Sequence, residues 1–63
     1  MAEMTFSAAR VACRALGFTL RRTGHGAEMV LYRLGTNEEA PDSYFTHDPA
    51  DACGTARISA ARK

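Results

Sequence analysis

The stretch Phe18-Thr-Leu-Arg-Arg-Thr-Gly-His-Gly-Ala-Glu-Met-Val-Leu-Tyr-Arg-Leu34 decides the fold of this chain. In it, two runs rich in β-branched, aromatic and apolar residues flank Gly24-His25-Gly26. Glycine adopts positive φ without a clash at Cβ, so two glycines between such runs are typical of a β-hairpin turn. The pattern predicts strands over about 18–23 and 28–34.

Upstream of the hairpin, apolar residues recur at spacings of three and four, which predicts a helix over about 5–16. The members of this apolar stripe are Phe6, Ala9, Cys13 and Leu16. Either Thr5 or Ser7 can cap the start of the helix, because a hydroxyl accepts a hydrogen bond from an unpaired early N–H. Gly17 suits the left-handed position that ends a helix.

Downstream of the hairpin, the sequence predicts a loop, a third strand and a second helix. Gly35-Thr-Asn-Glu-Glu-Ala-Pro-Asp42 is acidic and rich in turn-forming residues. Ser43-Tyr-Phe-Thr46 is short, aromatic and prone to β-structure. Asp48 then precedes a proline at the first helical position, and Asp51 adds charge that the helix dipole favours. The second helix is predicted over about 49–61.

The element order α-β-β-β-α predicts a small single α+β domain over residues 1–63, with both helices packed on one face of a three-stranded antiparallel sheet. Its predicted core consists of Phe6, Leu16, Leu20, Leu31, Phe45 and Ala56. The second strand is apolar on both faces, so we expect something outside the hairpin to cover part of its other face. One hypothesis is a homo-oligomer that buries Val30, Tyr32 and Leu34.

Charge is distributed unevenly along the chain, although the net charge of the 63 residues is only +1. Residues 1–35 have a balance of +3, residues 36–51 of −5 and residues 52–63 of +3. No apolar run approaches the ~20 residues that a membrane span needs. The N-terminal residues lack the basic and apolar regions of a signal peptide, so we expect a cytoplasmic protein. Cysteines in that compartment are expected to be free thiols.

Metal binding and catalysis are both weakly supported by the residue pattern. Zinc ligands usually come in close pairs, whereas Cys13, His25, His47 and Cys53 are widely spaced and both cysteines fall on predicted core stripes. A reactive cysteine needs an exposed thiol beside a base. We therefore predict a protein that has no enzymatic activity, metal or cofactor and that acts by binding.

Nucleic acid is the alternative partner. The element order is that of the double-stranded-RNA-binding domain, which contacts phosphates through the start of its last helix. Here that helix begins with Asp48 and Asp51, which would repel phosphate. The nucleic-acid-binding face would instead be formed by Arg10, Arg14, Arg21, Arg22 and Arg33.

The segment from Leu16 to Ala61 resembles short proteins of phages and mobile elements of proteobacteria. The matching residues are Leu16-Gly17, Leu20-Arg-Arg-Thr-Gly24, Glu28, Tyr44-Phe45-Thr46, Asp48, Asp51-Ala52 and Thr55-Ala56. The resemblance implies a phage protein that inhibits a host defence complex in the bacterial cytoplasm. An anti-CRISPR protein that masks a Cas subunit by steric or electrostatic means is the leading form of this prediction.

Two surfaces are candidates for the contact with that partner. Arginine anchors protein interfaces more often than most residues do, and the basic surface predicted here consists of Arg21, Arg22, His25, Arg33, Arg10 and Arg14. The competing acidic surface would imitate phosphate, and it consists of Glu38, Glu39, Asp42, Asp48 and Asp51.

Overall fold

The computed structural model describes residues 4–61 and confirms the predicted order of elements. The elements are α1 (Phe6–Ala15), β1 (Phe18–Arg22), β2 (Met29–Arg33), β3 (Tyr44–Thr46) and α2 (Pro49–Ala61). Each lies within a residue of its predicted bounds, and α2 matches them at both ends. The predicted domain also included residues 1–3 and 62–63, which lie outside the described residues.

Local signals set both ends of α1. The hydroxyl of Thr5 accepts a hydrogen bond from the N–H of Ala8 at 3.1 Å, so Thr5 rather than Ser7 is the N-cap. The chain leaves the helix at Gly17, whose φ of +90° is strained for any residue with a Cβ.

The hairpin turn is closed by hydrogen bonds on both sides of its glycines. The N–H of Thr23 donates to the carbonyl of Glu28 at 3.2 Å, and the Thr23 hydroxyl donates to the Glu28 carboxylate at 2.8 Å. Gly24 and Gly26 both have positive φ, as predicted. The turn therefore fixes the register that places Leu20 opposite Leu31.

The sheet has the order β1-β2-β3, and both pairings are antiparallel. Alternate strand residues face the two helices and form one core with them. The buried core residues are Ala9, Cys13, Phe18, Leu20, Met29, Leu31, Ala52, Cys53 and Ala56. Phe6 and Leu16 pack against this cluster and are only partly buried.

The prediction that Phe45 belongs to the core is wrong. Phe45 is 48% exposed and lies opposite Val30 in the register, on the sheet face away from the helices. Its neighbours Tyr44 and Thr46 contact Asp51 of α2 and so occupy the helix-facing positions. Successive residues of a strand point to opposite faces, so Phe45 cannot join them.

The sheet face that the helices leave open contains both buried and exposed residues. Val30 lies on that face and has 0% exposure, whereas Phe45, its register partner in β3, is 48% exposed. On its other side in the register is Arg21, which forms an ion pair with Glu38 of the β2–β3 connection. Val30 therefore has no surface to offer a second copy of the chain.

A side-chain cap marks the start of helix α2. Asp48 accepts a hydrogen bond from the N–H of Ala50 at 3.0 Å, which confirms its predicted capping role. The small buried residues Ala52, Cys53 and Ala56 allow the helix to pack closely against α1 and the sheet. None of the helices within residues 4–61 is long and apolar enough to cross a membrane.

Candidate binding surface

A row of three residues on α1 borders the edge of β1. Phe6, Arg10 and Arg14 are spaced by four residues, so they lie along one side of the helix. Phe6 is partly buried, and both arginines are exposed. This row is adjacent to the buried stripe that contains Ala9 and Cys13, which positions it beside the sheet rather than away from it.

The two consecutive arginines of β1 point to opposite faces of the sheet. Arg22 is on the helix side, and the carbon of its guanidinium group lies 4.7 Å from the centre of the Phe6 ring. A cation at this distance over an aromatic face is attracted to the ring electrons. Arg21 is on the other side, where one of its guanidinium nitrogens lies 3.5 Å from a carboxylate oxygen of Glu38.

A groove of about 370 Å³ lies between α1 and β1, and we call it the β1 groove. Its lining residues are Phe6, Arg10, Thr19, Leu20, Arg21 and Arg22. A smaller depression next to it is lined in part by Arg10, Arg14 and Phe18, so the arginine row continues beyond the groove. The structure thus brings together four of the six residues predicted for the basic surface.

The arginines differ in whether a carboxylate neutralises them. Arg21 pairs with Glu38, and Arg33 pairs with Asp42 at 3.1 Å. Within residues 4–61, no carboxylate lies within 4 Å of the three other arginines that line the groove or the depression beside it. These are Arg10, Arg14 and Arg22. The groove therefore has a cationic rim whose charge is available to an anionic group.

The other two residues predicted for the basic surface lie apart from the groove. Arg33 is in β2, with its guanidinium group 5.1 Å from the centre of the Phe18 ring and its Nε bonded to Asp42. His25 is exposed in the hairpin turn, where its carbonyl accepts a hydrogen bond from the N–H of Glu28. Both have local structural contacts.

The predicted acidic surface is largely engaged in contacts within the chain. Glu38 and Asp42 pair with arginines, and Asp48 caps α2. Asp51 accepts hydrogen bonds from the hydroxyls of Tyr44 at 2.6 Å and Thr46 at 2.9 Å. These hydrogen bonds favour the carboxylate and lower the pKa of Asp51, while the same contact raises the pKa of Tyr44. In the described part of the chain, only Glu39 has a side chain without such a contact.

The cysteines are part of the core. Cys13 and Cys53 are both buried and not bonded to each other. Burial raises the pKa of the Cys13 thiol, and the nearby Cys53 adds to this effect. The described residues contain no group of three His, Cys, Asp or Glu side chains that could hold a metal ion.

The sequence did not single out Phe6 as part of the binding surface. Its spacing of four from Arg10 was the available signal, because such residues are neighbours on a helix. Comparisons of this chain with protein-family models, with curated proteins and with solved structures found no match.

Proposed function

We propose that this chain is a small non-enzymatic binding protein that contacts its partner through the β1 groove and its arginines. The observation that supports the proposal is that Arg10 and Arg22 line the groove with Phe6 and that Arg14 lines the depression beside it, with no carboxylate within 4 Å of these three arginines among residues 4–61. Arginine binds carboxylates and phosphates through a planar fork of donors, and it is enriched among residues that dominate interface energetics.

A role in binding rather than in catalysis agrees with the chemistry of the remaining polar side chains. The thiol of Cys13 is buried and has a raised pKa, which disfavours the nucleophilic thiolate. Asp48 and Asp51, which resemble an acid pair in the sequence, are held by a helix cap and by two hydroxyl groups. Both carboxylates therefore have structural roles.

The specific partner we propose is a subunit of a host defence complex, with an anti-CRISPR protein that masks a Cas subunit as the leading case. The resemblance of Leu16–Ala61 to phage and mobile-element proteins supports this proposal. The test is to produce the chain in bacteria with an active CRISPR system and to count plaques of a targeted phage. We expect the chain to restore plaque formation.

Charge variants test whether the β1 groove is the surface responsible for inhibition. The double variant Arg21→Ala/Arg22→Ala should lose inhibition, because it removes two side chains that line the groove. Arg57→Ala is a suitable control, since Arg57 is exposed on α2 and does not line the groove. Full inhibition by the double variant would exclude the β1 groove as the contact surface.

A nucleic-acid-binding module is the second candidate, and it is favoured by the same three arginines, which have no carboxylate neighbour among the described residues. Binding to duplex DNA or RNA should then weaken steeply with salt, because each neutralised phosphate releases counterions. Titration of labelled duplexes at low and moderate salt tests this. Absence of binding in low salt at micromolar protein would eliminate the alternative.

A further inference from the structure

The β1 groove combines two kinds of surface that a single ligand can use together. Phe6 and Leu20 are the apolar lining residues, and Phe6 is the accessible one of the two, since Leu20 has 0% exposure. Arg10 on α1 and Arg22 on β1 are exposed at the rim. A volume of about 370 Å³ falls within the range of pockets that bind small ligands. A side chain entering the groove would meet apolar surface inside and guanidinium groups at the rim.

The position of β1 at the edge of the sheet determines how an extended segment can bind. Hydrogen bonds at both ends of the hairpin show that odd-numbered residues of β1 pair with β2. These bonds run from the N–H of Thr23 to the carbonyl of Glu28 and from the N–H of Leu34 to the carbonyl of Gly17. The backbone groups of Leu20 and Arg22 therefore point away from β2. Leu20 has 0% exposure, so a partner strand cannot pair along the whole edge. Recognition must rely on side chains, with backbone contacts limited to the exposed Arg22.

The charge pattern favours a short acidic segment over a long polyanion. Among the described residues, three of the four arginines without a carboxylate neighbour line the groove or the depression beside it, and the fourth is Arg57 on α2, whereas the net charge of the whole chain is only +1. Glu38 lies beside Arg21 at the margin of the groove and would repel a phosphate backbone that extends past it. A basic domain that binds nucleic acid usually has a pI above about 9, whereas the pI of this chain is about 7.8.

We propose that the β1 groove binds an acidic peptide segment of a partner protein. One apolar side chain of the segment enters the groove against Phe6, and carboxylates on either side of it pair with Arg10 and Arg22. This inference rests on the proposed binding function and specifies the chemistry of the ligand. It requires no covalent step and no cofactor.

Selection from a display library of random peptides tests the proposal, with the intact chain as bait. The selected peptides should be enriched in an apolar residue flanked by aspartate or glutamate. The peptide most enriched is then synthesised with a fluorophore, and its affinity is measured by anisotropy. A matched peptide with glutamine and asparagine in place of the acidic residues should bind about tenfold more weakly or worse.

Variants of the chain locate the binding. Arg10→Glu and Arg22→Glu should each weaken the peptide by about tenfold or more, which corresponds to one lost charged contact. Arg57→Glu changes the net charge equally, on a helix outside the groove, and should retain the affinity. Far-UV circular dichroism of each variant identifies any loss of folding. A variant that does not fold is left out of the comparison, and the affinity of the other groove variant then tests the proposal.

Several results would overturn the proposal. One is a selection that enriches no sequence, or one without carboxylates. A second is the binding of duplex nucleic acid that Arg10→Glu weakens as much as it weakens binding of the peptide. A third is a dimer in light scattering that Arg10→Glu dissociates, which would make a second copy the occupant. If peptides fail to bind while Arg10→Glu still abolishes inhibition of defence, only the ligand class is wrong; if inhibition is unaffected, the proposed contact surface is wrong.

Discussion

Alanine should have opposite effects on stability at two glycines of this chain. Gly54 is inside α2, and a Cβ added there meets no heavy atom within 4 Å. Glycine in a helix interior is about 0.5–1 kcal/mol less favourable than alanine, because it loses more backbone freedom on folding. Gly17 also has open space around it, but its φ is +90°. Placing a Cβ in the left-handed region costs about 1–2 kcal/mol.

The two variants should therefore differ by about 1.5–3 kcal/mol in free energy of unfolding, although each adds the same methyl group. A domain of this size shifts its Tm by about 4–8 °C per kcal/mol. We expect Gly54→Ala to raise Tm by about 2–8 °C and Gly17→Ala to lower it by about 4–16 °C. Urea unfolding followed by circular dichroism checks the sign independently, provided that the m-value is unchanged. A lower Tm for Gly54→Ala, or an unchanged Tm for Gly17→Ala, would refute the reasoning.

Three further outcomes are expected from the packing and hydrogen bonds. Leu20→Ala should cost about 2–5 kcal/mol in urea unfolding, because Leu20 is fully buried, whereas Leu34→Ala, at a residue 47% exposed, should change stability by less than about 0.5 kcal/mol. Asp51 has a lowered pKa in the folded state, so its contribution to stability is complete above its unfolded pKa of about 3.9 and is lost as the pH falls through the folded value. The stability difference between the native chain and Asp51→Asn should accordingly shrink in acid; a difference independent of pH would contradict this. The buried Cys13 should react with a thiol reagent only after unfolding, and rapid reaction of the folded protein would show that the core is open there.

The sequence was sufficient for the elements because their signals are local. The glycines at 24 and 26 and the proline after Asp48 restrict the backbone wherever the rest of the chain lies. The period of apolar residues in α1 likewise predicted its buried face, since the positions of Ala9 and Cys13 follow from helix geometry alone. The assignment of Phe45 to the core failed because the register, and not the composition of a three-residue strand, decides which face each residue takes.

For the candidate site, the sequence predicted which residue types take part but not how they are arranged in space. The sequence predicted a contact surface made of arginines, but it could not show that Arg22 stacks on Phe6 or that Glu38 pairs with Arg21. Those contacts depend on the angle at which α1 packs against the sheet and on the path of the β2–β3 connection. Arg33 illustrates the same point, because its partner Asp42 lies in the β2–β3 connection, just before β3.

By itself, the sequence determined the hairpin around Gly24-His25-Gly26 and, through separate local signals on either side of it, the α-β-β-β-α order. Backbone preferences and periodicity are properties of short segments, so they can be read without knowing the fold. Only the tertiary structure decided that Arg10 and Arg22 line one groove with Arg14 beside it, that Val30 is buried within the chain itself, and that Asp51 joins α2 to β3. These are contacts between different elements of the chain, which form only when packing fixes the relative positions of the helices, the strands and the connection.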